Sequence, residues 1–251
     1  MEGSIDRSID NGIARIRFYH PQSNSFPAEL LRNLASEISE VSSLLEVKVM
    51  VLESEGEKAF CAGASFDELM SIKSSSEGLV FFSGFAQVIN AMRKSEKLII
   101  GRVQGKAVGG GVGLASSCDY CFATSQASVK LSELSVGIGP FVVGPAVQRK
   151  LGLSAMSELA IDASEWRTAE WAMQRGLYNA VFESVSEMDS AIDKLATTLS
   201  QSSPEAMKEL KRIFWEGTEN WDQLLLDRAA VSGRLVLSEF TKNAIEKFKK
   251  K

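Results

Sequence analysis

The stretch from Leu98 to Thr124 constrains the fold most. LIIGRVQ (98–104) reads as a strand, GKAVGGGVG (105–113) as a glycine-rich turn, the small residues up to Cys118 as a helix, and YCFAT (120–124) as a short strand. A glycine turn that leads a strand into a helix presents N–H groups with no intrahelical acceptor, at the positive end of the helix dipole. Its spacing matches neither G-x-G-x-x-G nor G-x-x-x-x-G-K-[ST], which excludes the dinucleotide fingerprint and the P-loop. Two readings fit the turn: close packing of helix on strand, or a ligand held by main chain.

The rest of the first two-thirds alternates in the manner of β-β-α units. Gly12–Tyr19 reads as a strand closed by His20-Pro21. Pro27–Leu45 carries apolar residues at Leu30, Leu31, Leu34, Ile38, Val41 and Leu45, a helical spacing, with Pro27 in the first turn. VKVMVLE (47–53) is a strand, Leu79–Arg93 a helix, and Ser128–Leu131 a short strand before Ser132-Glu133. Ser74–Gly78 reads as a mobile connector. After about Leu151 the pattern is helical, over Ala155–Ile161, Thr168–Arg175, Glu187–Ser200, Pro204–Trp215 and from Trp221 onward. A composition change near Ser200 divides the chain into a core, 1–200, and a helical appendage, 201–251.

A formal charge of −4 argues against nucleic acid, because phosphate contacts need a basic surface. Residues 1–10 hold no apolar run of the signal-peptide kind, and nowhere do eighteen apolar residues follow one another. A soluble, cytoplasmic protein without a membrane span is expected. Lys242, Lys247, Lys249, Lys250 and Lys251 form a basic tail, either a solvated helix end or an anion site.

Cys118 and Cys121 form a C-x-x-C, but a tetrahedral zinc would need two further ligands and the chain has one His. Buried structural thiols, and no metal, are expected. His20, beside Pro21, reads as structural, and no G-x-S-x-G elbow supports a nucleophilic serine.

Two segments with small residues could each offer one N–H to a ligand: Phe60-Cys61-Ala62-Gly63-Ala64, and the turn at Gly109-Gly110. Converging on one oxygen they would form an oxyanion hole. Glu133 follows a strand amid apolar residues. It is either a surface acid or, if buried, a proton-transfer group with a raised pKa.

AFCAGA (59–64), GKAVGGGVGLASSCDY (105–120) and LSELSVGIGPFVVGPAVQRKLG (131–152), with FYHPQSNSF (18–26) near the start, resemble the crotonase superfamily, the enoyl-CoA hydratase/isomerase family, over essentially the whole chain. The resemblance implies an α/β fold, a ββα spiral whose C-terminal helices mediate homotrimers or dimers of trimers. It implies an acyl-CoA substrate, with coenzyme A as part of that substrate and no separate cofactor. It places the oxyanion hole on Ala64 and Gly110, and the acid/base on Glu133. CoA contacts would come from Ser23, Asn24, Ser25, Phe60, Cys61, Ala62 and Gly109, and from Phe248 and Lys251 reaching a neighbouring subunit.

Two positions depart from the family pattern. Gly113 stands where two-carboxylate hydratases carry a second Glu, and Ser65 where an Asp is common. With one carboxylate the simplest expected chemistry is double-bond isomerisation of an enoyl-CoA. Hydration would need help from solvent or another group, for which Asp67 and Glu68 are candidates. Thioester hydrolysis, decarboxylation and a catalytically weak acyl-CoA-binding member are the alternatives.

Overall fold

The computed structural model describes residues 3–249. In chain order the elements are β1 (Ser4–Asp10), β2 (Ile13–Tyr19), α1 (Ala28–Ser43), β3 (Val49–Ser54), β4 (Ala59–Cys61), α2 (Phe66–Ser71), α3 (Ser75–Lys94), β5 (Leu98–Val103), β6 (Lys106–Val108) and α4 (Gly110–Ser117). There follow β7 (Tyr120–Thr124), β8 (Ser128–Lys130), a 3-10 turn (Glu133–Val136), α5 (Gly144–Ile161), β9 (Arg167–Thr168), α6 (Ala169–Gln174), β10 (Ala180–Phe182), α7 (Val185–Ser200), α8 (Pro204–Phe214), α9 (Trp221–Leu235) and α10 (Glu239–Lys249).

Two sheets result. The larger runs β1-β2-β3-β5-β7-β10, antiparallel at its first pair and parallel thereafter. The smaller runs β4-β6-β8-β9, with β9 antiparallel to β8. Strand β3 is buried throughout, and its alternation explains why. Met50 and Leu52 face the main core with α1 and α3, while Val49 and Val51 face Met188, Ile192 and Ala196 of α7.

The structure adds elements that local pattern hid. The charged segment 4–10 is an edge strand that pairs residue for residue with β2, from Ser4↔Tyr19 to Asp10↔Ile13, and it buries too little to show an apolar signal. Ser74–Gly78 is no connector but the start of α3. Ser74 Oγ accepts from Glu77 N–H at 3.2 Å, Glu77 Oε2 accepts from Lys73 N–H at 2.8 Å, and Gly78 lies against the backbone of Gly233 in α9. Helix α5 starts well before Ala155, at Gly144, and breaks at Gly152, whose φ of 82° is open to glycine.

Cys118 and Cys121 are free and buried, and both thiols occupy the space that a side chain on Gly101 would need. Between them in sequence, Asp119 accepts from Ile99 N–H at 2.7 Å, Lys211 Nζ at 2.6 Å and Trp215 Nε1 at 3.2 Å, which ties α8 to the sheet through a buried ion pair. Among the described residues no helix is long and apolar enough to cross a membrane.

Candidate active site

The small sheet carries the site. A cavity of ≈ 340 Å³ opens where β4, β6 and β8 end, between α3 and the 3-10 turn. Its first wall is the loop Ala62-Gly63-Ala64. Gly63 has φ +89°, and a Cβ on it would lie 3.0 Å from Val108 O, so only glycine lets this loop rest on β6. Ala64 forms a parallel bridge with Phe26, in which Phe26 N–H donates to Gly63 O and Ser65 N–H to Phe26 O, both at 2.8 Å. That pattern turns the N–H of Ala64 to the side away from Phe26.

The second wall is the start of α4. Gly109, at φ 51° and ψ −110°, sends its own N–H to Lys130 O at 2.9 Å and turns the chain into the helix. Gly110 is the first helical residue, so its N–H has no intrahelical acceptor. The two walls are adjacent: the Cβ position of Gly63 lies 3.5 Å from Gly110 N.

Glu133 begins the 3-10 turn directly after β8. Its carboxylate occupies the space that a side chain on Gly109 would need, with Oε1 2.8 Å from that Cβ position. Although the residue as a whole is half-buried, Oε2 is buried and has no hydrogen-bond partner among the described residues. Burial pushes the carboxyl up to about 7, against a smaller opposing effect of its own backbone N–H. Lys130, the other charged residue in the cavity wall, does not neutralise it. Its Nζ donates to Ser164 O at 2.6 Å and lies 5.5 Å from the Trp166 ring centroid.

The remaining walls are mostly apolar, with Phe82 and Phe85 of α3, Phe66 and Leu69 of α2, and Ile138 to Val143, joined by Ser132, Ser135 and Ser232. The outer edge of the Phe85 ring packs on Gly110, where a Cβ would come within 2.1 Å of its Cζ. Gly113 lies under Val143, whose Cγ1 is 2.6 Å from the Cβ position of the glycine.

Comparison with known proteins shows the family. A family model described as Enoyl-CoA hydratase/isomerase matches residues 8–247. The chain belongs to the enoyl-CoA hydratase/isomerase family, within the crotonase superfamily. It is 25% identical over 250 residues to a probable enoyl-CoA hydratase of Bacillus subtilis, covering 99% of this chain and 96% of that protein. It is 29% identical to the short-chain-enoyl-CoA hydratase of Clostridium acetobutylicum, over 90% of this chain and 86% of that one. The crystal structure of enoyl-CoA hydratase from Bacillus halodurans superposes with a TM-score of 0.89 at 20% identity, over 97% of this chain and 99% of that one, which shows the shared fold.

In this family member the residues expected at the site separate into two groups. Ala62, Ala64, Gly109, Gly110 and Glu133 meet at the cavity. Phe60 and Cys61 turn their side chains into the core, Phe60 against Phe18 at 5.4 Å between centroids and Cys61 Sγ accepting from Gly63 N–H. Ser23 and Asn24 adopt positive φ, Ser23 O accepts from Ala62 N–H, and the Asn24 amide donates to Glu55 O and Ala59 O. Their visible role is to brace the loop that carries Ala64. Ser25 Oγ contacts His20 Nδ1 at 3.2 Å, so His20 is a structural partner of this loop.

Asp67 accepts from Gln22 and Glu68 from Ala28 N–H, and neither lines the cavity. They do not stand in for a second carboxylate. The side chain of Phe248 and the whole of Lys251 lie outside the described residues. The sequence points to residues 66–85 as the acyl pocket, and Phe66, Leu69, Phe82 and Phe85 line the cavity; Val143 and Ser232 were missed. Phe82 and Phe85 carried an i, i+3 signal on α3, whereas Val143 and Ser232 become visible only once the chain is folded.

Proposed function

We propose that the protein shifts a double bond in an enoyl-CoA thioester through an enolate held by the N–H groups of Ala64 and Gly110. Glu133 removes a proton from C2 of a 3-enoyl-CoA, the electrons move onto the thioester oxygen, and the same carboxyl returns the proton to C4. The double bond then lies between C2 and C3, with no co-reactant consumed. Two main-chain donors aimed at a developing oxyanion contribute about 2.7–4 kcal/mol each in comparable acyl-transfer sites.

The observation that carries this reading is the buried Oε2 of Glu133, without a hydrogen-bond partner and with no other carboxylate in the cavity wall among the described residues. A carboxyl with a pKa raised to about 7 is half ionised near neutrality, as a group that must both take and return a proton requires. The apolar walls suit an uncharged acyl chain. The proposal includes a trimeric assembly, for which Leu210, Ile213 and Phe214 of α8 supply exposed apolar surface.

Glu133→Gln tests the reading. It is expected to abolish conversion of 3-hexenoyl-CoA to 2-hexenoyl-CoA while binding of the thioester persists in calorimetry. Undiminished turnover in that variant removes Glu133 from the mechanism. Water addition by the wild type, read as a mass gain in the product, would favour hydration instead.

A further inference from the structure

We infer that the hydroxyl of Ser232 recognises an uncharged polar group on the acyl chain, so that the preferred thioesters carry a hydroxyl or carbonyl beyond the reacting carbons. The inference deepens the acyl-CoA reading above and rests on it. Ser232 belongs to α9, in the helical region after residue 200, yet it lines the same cavity as Gly110 and Glu133. It is 1% exposed, and its hydroxyl makes no hydrogen bond among the described residues.

Other buried serines in the helices of this protein behave differently. Ser83 of α3 returns its hydroxyl to Leu79 O at 2.6 Å and Ser117 of α4 to Gly113 O at 2.8 Å, in each case the carbonyl one turn back. Ser232 makes no such bond to its own helix. Ser116 is also without a partner, but it does not line the cavity. A hydroxyl set in a mostly apolar wall forgoes the hydrogen bonds of water, a loss that a polar group entering the cavity restores.

The packing of α9 on α3 brings Ser232 to this place. Gly233, the next residue, crosses α3 at Gly78. A Cβ on Gly78 would lie 2.6 Å from Gly233 Cα, and one on Gly233 would lie 2.7 Å from Leu79 N. Glycine at both positions lets the two helices touch main chain to main chain. Gly78, Phe82 and Phe85 share one face of α3, at i, i+4 and i+7. Phe82 and Phe85 line the cavity, and the Phe85 ring ends on Gly110. Seven residues of helix, about 10 Å, separate Gly78 from Phe85. Ser232 thus stands toward the Gly78 end of that face, and the Gly110 N–H at the Phe85 end. An acyl chain laid along the two phenylalanines leads from one to the other.

The rest of the cavity wall argues for a neutral group. Lys130 is its one cation among the described residues, and that ammonium already donates to Ser164 O beside the Trp166 ring. An anionic chain would lack a free countercharge and would share the cavity with Glu133. A hydroxyl or carbonyl meets neither obstacle. Of the three serines in the wall, Ser132 is partly exposed and Ser135 exposed, so solvent reaches them. Ser232 is the one closed off from bulk water.

Calorimetry with 6-hydroxyhexanoyl-CoA and heptanoyl-CoA tests the inference, since these non-reacting thioesters differ in a terminal hydroxyl against a methyl. The pair 8-hydroxyoctanoyl-CoA and nonanoyl-CoA carries the group further along the chain. In the wild type the hydroxylated member of at least one pair is expected to bind about tenfold tighter, the weight of one hydrogen bond. Ser232→Ala, close to serine in volume, should erase that preference. Its thermal midpoint should match that of the wild type, because no bond within the protein is lost.

Equal affinity within both pairs, or a preference that survives in Ser232→Ala, overturns the inference. A clearly lower midpoint in Ser232→Ala overturns it too, because the hydroxyl would then serve the fold. These results do not depend on turnover, so the isomerisation reading fails separately, through full activity of Glu133→Gln. If none of the four thioesters binds, the acyl-CoA reading beneath both has failed.

Discussion

Gly113 and Val143 fill one another's space: a β-carbon on the glycine would stand 2.6 Å from Val143 Cγ1. Their contact couples the helix that supplies the Gly110 N–H to the cavity wall at Val143. Gly113→Ala therefore forces a shift in a packed region and is expected to cost about 1–3 kcal/mol, despite the gain in helix propensity. In a Val143→Ala background the same substitution should cost much less. Urea denaturation of the four proteins measures the coupling, and additive losses would contradict the packing described.

The raised carboxyl of Glu133 sets two pH dependences. As a base it must be ionised, so kcat/KM is expected to rise with pH through an apparent pKa of about 7 and then level off. A profile flat from pH 5 to 9 would count against Glu133 as the base.

Stability should run the other way. The folded carboxyl keeps its proton up to about 7, whereas the unfolded chain releases it near the ordinary 4.5. Between those values the native state binds more protons, so stability is full below the lower one and falls until the upper one is passed. The loss is at most about 3 kcal/mol for this one group. Glu133→Gln, which cannot ionise, should flatten that part of the curve. Thermal unfolding of both proteins across this window, without ligand, reads the difference.

Gly110→Ala places a methyl group 2.1 Å from the Phe85 ring and must push that ring into the acyl cavity. We expect affinity for hexanoyl-CoA to fall while affinity for free CoA is kept, with stability lower by about 1–3 kcal/mol. Equal losses for both ligands in calorimetry would mean that Phe85 does not border the acyl group.

The side chains of Lys211 and Asp119 are both buried, and their ion pair at 2.6 Å fixes α8 to the sheet between the ends of β5 and β7. Lys211→Met leaves Asp119 with two N–H donors and without its directly bonded cation, Arg149 being the remaining positive charge near it, and is expected to lower stability by about 3 kcal/mol. Asp119→Asn combined with Lys211→Met should recover much of it. Guanidinium unfolding decides the point, since a double variant as weak as the single one would locate the loss in packing.

Local sequence determined what local physics controls. Glycines at 109–111 dictate a turn that any side chain would block, and the helix after it follows from small residues in a row. The β3 run, apolar on both faces, announces a buried central strand, and Gly113 in place of a carboxylate can be read from one position. Tertiary structure decided the rest, because distance in space is set by packing between remote segments. It showed that Phe60 and Cys61 turn inward, and that Asp67 and Glu68 are committed to main-chain and amide partners away from the cavity. It paired the charged segment 4–10 with β2, an edge strand with no apolar face to betray it. Above all it brought Val143 over Gly113, thirty positions away in sequence. A glycine records that a group is missing; only the fold shows what has taken its room.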